Sequence, residues 1–479
     1  MAQRIDLAPL LEPTSVGIVG VSTRPTRGTK VLDNLLTSGF SGRIHPINPK
    51  YETIAGLPCH PSLADVPEPL DTLVVAIPAA GVPALLREAC TAGTRSAVIL
   101  SSGFGEAPGA AARQLDRQLR EIVASGMPIC GPNCLGVVNF ATGATVFSGP
   151  LPQPRLAGAI ALVSQSGGHT ADISTALMEG RGLGLHHLVS CGNQVGARVD
   201  DYLAYWIDDP AVSIVAAYVE ELPPRERLLE LGAAAAKRET SIVLLRGGTS
   251  RAGRGAAAVH TGSRPHKGRA GSDALRDGAI IEAESLDELV ELVALLSVGD
   301  PRRIRSRVAI VSGGGGETVL GADAALRAGL KLPRLAGMTT AALRRLLPDY
   351  ATPRNPIDLT GTVYEDPAIF PGCLDAVLAD PAIELVLWKE ALKAPTNGRY
   401  PWVSGFLDVI AGLPAEQRSR IVAYDAMAGG TLNTAALARL GELGIPVLMG
   451  SDNAMRAVAK VASRNVGLGE LNRPTRSRT

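Results

Sequence analysis

The sequence has few aromatic residues, and its charges of opposite sign almost cancel. Phe, Trp and Tyr make up 4% of the 479 residues, and 47 Lys and Arg stand against 46 Asp and Glu, giving a formal net charge of +1. A chain without excess charge exerts little long-range attraction on polyanions or anionic lipids. We therefore expect neither nucleic acid nor a membrane as a partner.

Paired cysteines and long apolar runs are also missing. The six cysteines show no CxxC spacing, which argues against a disulfide framework and against a zinc site. No apolar run approaches the roughly 18 residues of a transmembrane helix, and the first residues lack the features of a signal peptide. We predict a reduced, cytoplasmic protein with no metal site.

Glycine and short apolar runs are abundant instead. The chain contains 53 glycines, and runs rich in Val and Ile, for example at 73–77, 159–163 and 308–312, alternate with amphipathic helical stretches. Because parallel strands are buried on both faces, such runs and their alternation with helices predict an α/β fold. At this length we expect two to four domains of roughly 100–200 residues each.

Two stretches divide the chain into three α/β segments. The Pro-rich residues 149–158 and the basic residues 301–307 have the composition of linkers. The predicted domains are residues 8–148, 156–300 and 306–466, followed by a polar tail at 467–479.

A glycine turn, Gly17-Ile18-Val19-Gly20, follows the first predicted strand. The turn resembles a dinucleotide-binding motif, but a nicotinamide cofactor needs an acidic residue at the end of the next strand. That strand leads instead to Lys50, and the only acid between Gly20 and Lys50 is Asp33, inside a helical pattern. A lysine there suits the phosphorylated ribose of CoA, and a solvated loop cation is the alternative interpretation.

Three further motifs follow predicted strands, where open α/β sheets bind ligands. The loop Gly131–Gly136 contains Cys134, which is either a nucleophile or a small buried hydrophobic residue. Ser164–Gly168 is either an anion site at a helix N-terminus or a plain N-cap. His260, in a Gly/Ala-rich loop, is either a phosphoryl acceptor oriented by a carboxylate such as Glu220 or a structural histidine.

Taken in order, the motifs resemble those of the α subunit of succinyl-CoA synthetase and, more closely, of ADP-forming acetyl-CoA synthetase, in the NDP-forming acyl-CoA synthetase superfamily. The matching motifs are VGIVGVS, GRIHPINPK, VVAIPA, SSGFGE, GPNCLG, LVSQSGG, SCGN, AYVEEL, VHTGS, VAIVSGGGGE and Asn355-Pro356-Ile357-Asp358, within residues 12–465. The resemblance implies a Rossmann-like CoA-binding domain followed by two flavodoxin-like α/β domains.

The resemblance also implies roles for individual residues. His260 would be the phosphohistidine and Glu220 its orienting carboxylate. The implied phosphate-binding residues are Ser164, Gln165, Ser166, Gly167 and Gly168. The implied CoA-binding residues are Gly20, Ser22, Thr23 and Arg24 at the phosphates, Lys50 near the 3′-phosphate, Ser101, Ser102 and Gly103 along the pantetheine arm, and Asn133 and Cys134 near the thiol.

The implied reaction converts an acid, CoA and a nucleoside triphosphate into acyl-CoA, nucleoside diphosphate and phosphate, through an acyl phosphate and the phosphohistidine. The sequence contains no GxxxxGK[ST] loop and nothing that resembles an ATP-grasp domain. We therefore expect a separate ATP-grasp β subunit that binds ATP or GTP with Mg²⁺, in a hetero-oligomer. A small carboxylic acid or its acyl-CoA would be the other ligand.

Two departures from the family pattern keep other functions open. Arg264–Arg269 is strongly basic where relatives have small apolar residues, and His169 stands where they have a small or aliphatic residue. A basic loop next to the phosphohistidine would suit an acidic acyl substrate, although charge runs are usually only solvated. The alternatives are a nucleotide-independent CoA- or phosphate-dependent acyl or carbamoyl transferase, and a non-catalytic acyl-CoA-sensing subunit.

Overall fold

The computed structural model describes residues 5–124, 126–261, 269–394 and 402–471. The chain packs into two compact units, residues 1–179 with 183–282 and residues 180–182 with 283–479. Three sheets of five or more strands lie within the described residues, so the predicted α/β class is confirmed. In the same residues, no helix combines the length and the apolar character needed to cross a membrane.

The first sheet has five parallel strands in the order β2-β1-β5-β6-β7, beside a small antiparallel pair, β3 and β4. The strands are β1 (Ser15–Val19), β2 (Arg43–Ile47), β3 (Thr53–Ile54), β4 (Leu57–Pro58), β5 (Thr72–Val75), β6 (Ser96–Ile99) and β7 (Ile129–Cys130). The helices are α1 (Ala8–Leu11), α2 (Arg27–Thr37), α3 (Val82–Thr91) and α4 (Ala110–Ala124).

The second sheet has seven strands in the order β14-β13-β12-β10-β11-β8-β9. The strands are β8 (Gly136–Asn139), β9 (Ala144–Phe147), β10 (Ala157–Ser164), β11 (Leu185–Ser190), β12 (Ile214–Val219), β13 (Ser241–Arg246) and β14 (Ile281–Ala283). The helices are α5 (Gly167–Arg181), α6 (Val199–Asp208), α7 (Arg225–Lys237), α8 (Arg251–Thr261) and α9 (Arg269–Asp277). The next helix, α10 (Leu286–Ser297), belongs to the second compact unit, with the third sheet.

The third sheet has five strands in the order β16-β15-β17-β18-β19, all parallel. The strands are β15 (Val308–Ser312), β16 (Ile357–Asp358), β17 (Leu385–Lys389), β18 (Ile421–Asp425) and β19 (Val447–Met449). The helices are α11 (Gly315–Arg327), α12 (Gly337–Leu346), α13 (Ile369–Leu378), α14 (Trp402–Gly412), α15 (Ala415–Arg418), α16 (Thr434–Glu442) and α17 (Ser451–Leu471).

A two-stranded extension links the first two segments of the chain. Strands β8 and β9 follow the first sheet directly in sequence, yet β8 pairs antiparallel with β11 of the second sheet. One continuous hydrophobic core then includes Val16 of the first sheet, Val163 of the second and Trp206 of α6. The first two sheets therefore belong to a single packed unit.

Most of the helices and strands predicted from the sequence are confirmed, and one predicted loop is wrong. The helical stretch predicted at Ala110–Ala124 is α4, and the predicted strand 308–312 is β15. The Gly/Ala-rich residues 251–261, predicted as a loop, form helix α8 instead. The hydroxyl of Ser250 accepts the N–H of Gly253 at 3.0 Å and caps the first turn, and the alanines supply high helix propensity, which outweighs the two glycines.

Candidate functional site

The turn after β1 requires glycine at position 20. Gly20 has φ +90°, and a Cβ there would lie 2.3 Å from the carbonyl oxygen of Ala76, which no rearrangement of a side chain could relieve. Beyond the turn, Thr29 of α2 donates a hydrogen bond to the carbonyl of Ser22 at 2.8 Å. The predicted residues Ser22, Thr23 and Arg24 thus form a loop that is held against the start of a helix.

The Lys50 loop lies beside this turn. Asn48 donates from its amide to the carbonyl of Val21 at 2.7 Å and accepts the N–H of Lys50 at 3.0 Å. Thr23 reaches the hydroxyl of Tyr51 at 3.4 Å, and this contact lowers the pKa of Tyr51. The structure therefore brings together the two loops that the sequence assigned to CoA phosphates.

A groove of about 280 Å³ continues from the turn across the carboxyl ends of β5 and β6. Its lining includes Ser101 and Ser102, which the sequence assigned to the pantetheine arm. Arg27 also lines the groove, and its guanidinium donates to the carbonyl of Leu100. Arg27 was missed in the sequence, where the only signal was a basic residue at the first position of α2.

The segment that contains Gly103 is tied to the second sheet. Glu106 accepts the N–H of Gly103 at 2.6 Å through one carboxylate oxygen and the side-chain amide of Asn193 through the other. Asn193 also accepts a hydrogen bond from the amide of Asn133 at 3.4 Å. Glu106 and Asn193, within the SSGFGE and SCGN motifs, were not assigned to the site from the sequence, although their contacts fix Asn133.

Cys134 is buried, and its side chain does not face the groove. It is 3% exposed, and its thiol donates to the carbonyl of Ile99 at 3.3 Å. Burial raises the pKa of Cys134 well above that of a free thiol, so the thiolate needed for nucleophilic attack is disfavoured. Of the two interpretations of the sequence, the buried residue fits the structure.

The predicted phosphate turn lies between β10 and α5. Ser164 is fully buried; its hydroxyl donates to the carbonyl of Ser166 at 2.8 Å and accepts the N–H of Ser166 at 3.1 Å. Among the described residues, the N–H groups of Gly167 and Gly168 have no protein acceptor. Ser164 therefore shapes the turn, and the free donors at the helix N-terminus belong to the two glycines.

Gln165 connects this turn to Glu220. Its side-chain oxygen accepts the N–H of Glu220 and, at 3.3 Å, the N–H of Glu221. Glu220 is 7% exposed and directly follows β12, and a Cβ on Gly247 would lie 3.4 Å from its Cγ. Glu220 is therefore placed against the chain that leads from β13 into α8.

His260 lies near the end of α8, but its side chain is outside the described part of the structure. Residues 264–268 of the basic stretch are also outside the described residues, and Arg269 is the first residue of α9. The predicted pairing of His260 with Glu220 and the predicted role of the basic stretch stay predictions.

The GPNCLG loop and the turn before α5 meet at Leu135. A Cβ added to Gly167, the first residue of α5, would lie 3.1 Å from Cγ of Leu135. The N–H of Leu135 donates a hydrogen bond to the hydroxyl of Ser190 at 3.2 Å. The N–H of Cys191 donates to the carbonyl of Ser164 at 2.9 Å. The GPNCLG loop and the N-terminus of α5 are therefore neighbours.

Comparison with protein families gives three consecutive matches. Residues 14–139 match a CoA binding domain, residues 157–296 a succinyl-CoA ligase-like flavodoxin domain, and residues 308–397 a ligase-CoA domain. The first two families coincide with the regions that contribute the groove and the phosphate turn.

Individual relatives agree with this domain order. A trans-feruloyl-CoA synthase from an unknown prokaryotic organism is 32% identical over 469 residues, which are 96% of this chain and 65% of the relative. The α subunit of ADP-forming acetate–CoA ligase I of Pyrococcus furiosus is 29% identical over 463 residues, which are 95% of this chain and 97% of the relative. This chain thus spans less than two thirds of the first relative.

Among solved structures, the dinucleotide-forming acetyl-coenzyme A synthetase 1 of Ca. Korarchaeum cryptofilum, in complex with phosphate and ADP, has a TM-score of 0.81 and 25% sequence identity. The match covers 97% of this chain and 98% of that chain. The ordered motifs, the three domain families and these relatives together place the chain in the NDP-forming acyl-CoA synthetase superfamily.

Proposed function

We propose that this chain is the CoA-binding and phosphohistidine-carrying part of an NDP-forming acyl-CoA synthetase. The observation that carries the proposal is the contact of the GPNCLG loop with the N-terminus of α5, where Leu135 packs on Gly167. A thiol delivered along the groove would arrive beside an anion held at α5. Residues 8–148 would bind CoA, 156–300 would carry the phosphohistidine, and 306–466 would form the second flavodoxin-like domain.

In this proposal CoA lies across the carboxyl edge of the first sheet. Lys50 would face the 3′-phosphate, the turn from Gly20 to Arg24 would face the diphosphate, and Ser101 would lie along the pantetheine arm. The hydrogen bonds of Asn48 support this arrangement because they hold the Lys50 loop against the glycine turn. Arg27 adds a cation to the wall of the groove.

The proposed chemistry moves one phosphoryl group through His260. A ring nitrogen of His260 takes the γ-phosphoryl group and nucleoside diphosphate leaves; the acid's carboxylate then takes the phosphoryl group and frees the ring. The CoA thiol attacks the acyl carbon, its proton passes to solvent, and the bond to phosphate breaks. Glu220 would orient the ring, and the N–H groups of Gly167 and Gly168 would hold the phosphoryl oxygens.

The nucleotide would bind to an ATP-grasp domain outside this sequence, as ATP or GTP with Mg²⁺. An α subunit from Pyrococcus furiosus that matches over 97% of its length supports a separate partner chain, whereas the trans-feruloyl-CoA synthase is a longer relative, of which this chain covers 65%. We propose the two-chain arrangement, in a hetero-oligomer, on the strength of the first relative.

The reverse half-reaction tests the proposal without a nucleotide-binding partner. The full chain should be incubated with labelled inorganic phosphate and acetyl-, feruloyl- or succinyl-CoA. Acyl phosphate formed at α5 should label His260, giving an acid-labile, base-stable adduct. The label should be absent in His260→Ala and reduced in Glu220→Gln, because the second variant keeps the ring but loses the charge that orients it.

His186 provides a matched control, because it pairs with Asp209 at 3.2 Å and occupies β11 of the same sheet. His186→Gln should be labelled as the wild type is. Label that persists in His260→Ala would contradict the proposed carrier. Calorimetry with CoA and 3′-dephospho-CoA is an independent test, and equal affinities would remove Lys50 from the site.

A further inference from the structure

Two turns of this chain are built in the same way at the ends of equivalent strands. Ser164-Gln165-Ser166-Gly167-Gly168-His169-Thr170 follows β10, and Ser312-Gly313-Gly314-Gly315-Gly316-Glu317-Thr318 follows β15. In both turns the helix begins three residues after the strand-end serine. That serine accepts the N–H of the residue two positions later, at 3.1 Å in the first turn and 3.2 Å in the second.

The two turns differ at the third helical position. In α11 this residue is Glu317, whose carboxylate reaches back to the hydroxyl of Ser312 at 2.7 Å. A second oxygen of the same carboxylate pairs with Lys389, which is 5% exposed. The N-terminus of α11 thus carries an anion that belongs to the chain itself, which the helix dipole favours.

In α5 the same position is His169. Side chains at this position point back towards the helix N-terminus, as in a capping box, and Glu317 shows that reach within this chain. The His169 ring packs edge-on against Tyr218, with 4.6 Å between ring centroids, and Tyr218 is paired in register with Ser164. His169 therefore stands over the carboxyl edge of the sheet, next to the turn.

The ring is only partly covered and keeps a polar atom unused. Its side chain is 36% exposed, while its Nδ1 is inaccessible and lacks a hydrogen-bond partner. The nearest carboxylate oxygen, on Asp172, is 3.6 Å from Nδ1. That separation is longer than a hydrogen bond, so the ring is placed by packing rather than by a polar partner.

We infer that His169 is a binding residue for the phosphoryl group at α5, to which Nε2, on the exposed edge of its ring, donates a hydrogen bond. The inference rests on the proposed function, since it assigns one further contact to the same anion. It also explains why the two turns differ. The N-terminus of α11 is occupied by the carboxylate of Glu317, whereas the N-terminus of α5 has free N–H groups beside the imidazole of His169.

Inorganic phosphate binding to the full chain, measured by calorimetry, tests the inference. His169→Ala should weaken binding about tenfold, the loss typical of one hydrogen bond to a charged group. His169→Gln should restore most of the affinity, because its amide places a donor about where Nε2 of the ring lies. His169→Glu should abolish binding, because it gives α5 the internal carboxylate that α11 already has.

His186→Gln is again the control, and melting temperatures show whether each variant is folded. Equal phosphate affinity of wild type and His169→Ala overturns the inference, even if His169→Glu fails to bind. A folded His169→Gln as weak as His169→Ala also overturns it. Labelling of His260 and binding of CoA are separate measurements, so the proposed function can stand when this inference fails.

Discussion

Gly192 packs closely on the GPNCLG loop, which makes it a sensitive place for a substitution. It has φ +55°, and a Cβ there would lie 2.3 Å from the carbonyl oxygen of Pro132 and 2.5 Å from that of Asn133. Its neighbour Asn193 donates its N–H to the carbonyl of Pro132 at 3.0 Å. Gly192→Ala therefore pushes two backbone segments apart.

The cost of Gly192→Ala has two parts that a control can separate. A left-handed conformation costs a residue with a Cβ roughly 1–2 kcal/mol, and forcing packed backbone to move costs about 1–3 kcal/mol more. Gly182 has a similar φ of +66° with nothing within 4 Å of its Cβ position. Gly182→Ala should therefore show the first cost alone.

Thermal unfolding followed by calorimetry measures the difference. A unit of this size loses about 2–4 °C of melting temperature per kcal/mol, so Gly192→Ala should melt about 2–12 °C below Gly182→Ala. CoA affinity should also fall in Gly192→Ala only, since the displaced loop carries Asn133. Equal melting temperatures of the two variants would refute the packing argument.

Three other predictions concern charged groups. Arg27→Ala should raise the Kd for CoA about tenfold by calorimetry, since it removes the cation that lines the groove. Arg181→Leu leaves Glu291, 4% exposed, without its charged partner, and burial has already raised the pKa of Glu291 to about 7. The contribution of this carboxyl to the free energy of unfolding is fully present below its unfolded pKa and is lost as pH rises towards 7. Arg181→Leu should therefore be destabilised more at pH 8 than at pH 6. At pH 8 we expect a loss of about 3–5 kcal/mol, measured by urea unfolding. Burial lowers the pKa of His187 to about 3, so the contribution of its neutral ring to the free energy of unfolding is present above pH 6.5 and is lost as pH falls. In His187→Asn the free energy of unfolding should fall less steeply with decreasing pH, by up to about 1.4 kcal/mol per pH unit.

Most strands could be predicted because their signal is local. A parallel strand buried on both faces is a continuous run of Val, Ile and Leu, as in β15, where all five residues are buried. The turns at strand ends could be found for the same reason, because a glycine such as Gly20 is required by the backbone of its own turn. Serine and glycine before an apolar helix likewise indicated α5.

The errors and omissions come from contacts between distant parts of the chain. Strand β8 reads as a short apolar run in the first segment, and only its pairing with β11 reveals its sheet. Arg27 and the Glu106–Asn193 contact depend on how loops converge, which no spacing in the sequence expresses.

The antiparallel extension of the second sheet bears on how the protein can be divided. Strand β8 is hydrogen-bonded along β11 from His187 to Ser190, so a chain cut at 149–158 would leave these edge strands on the wrong fragment. The carboxyl-terminal fragment would expose the unpaired edge of β11, and the amino-terminal one would carry a loose hairpin with apolar faces. Both are expected to aggregate when separated. Breaking the linker and mixing the halves should instead restore the sheet by strand complementation, which makes this stretch a natural place for a split reporter.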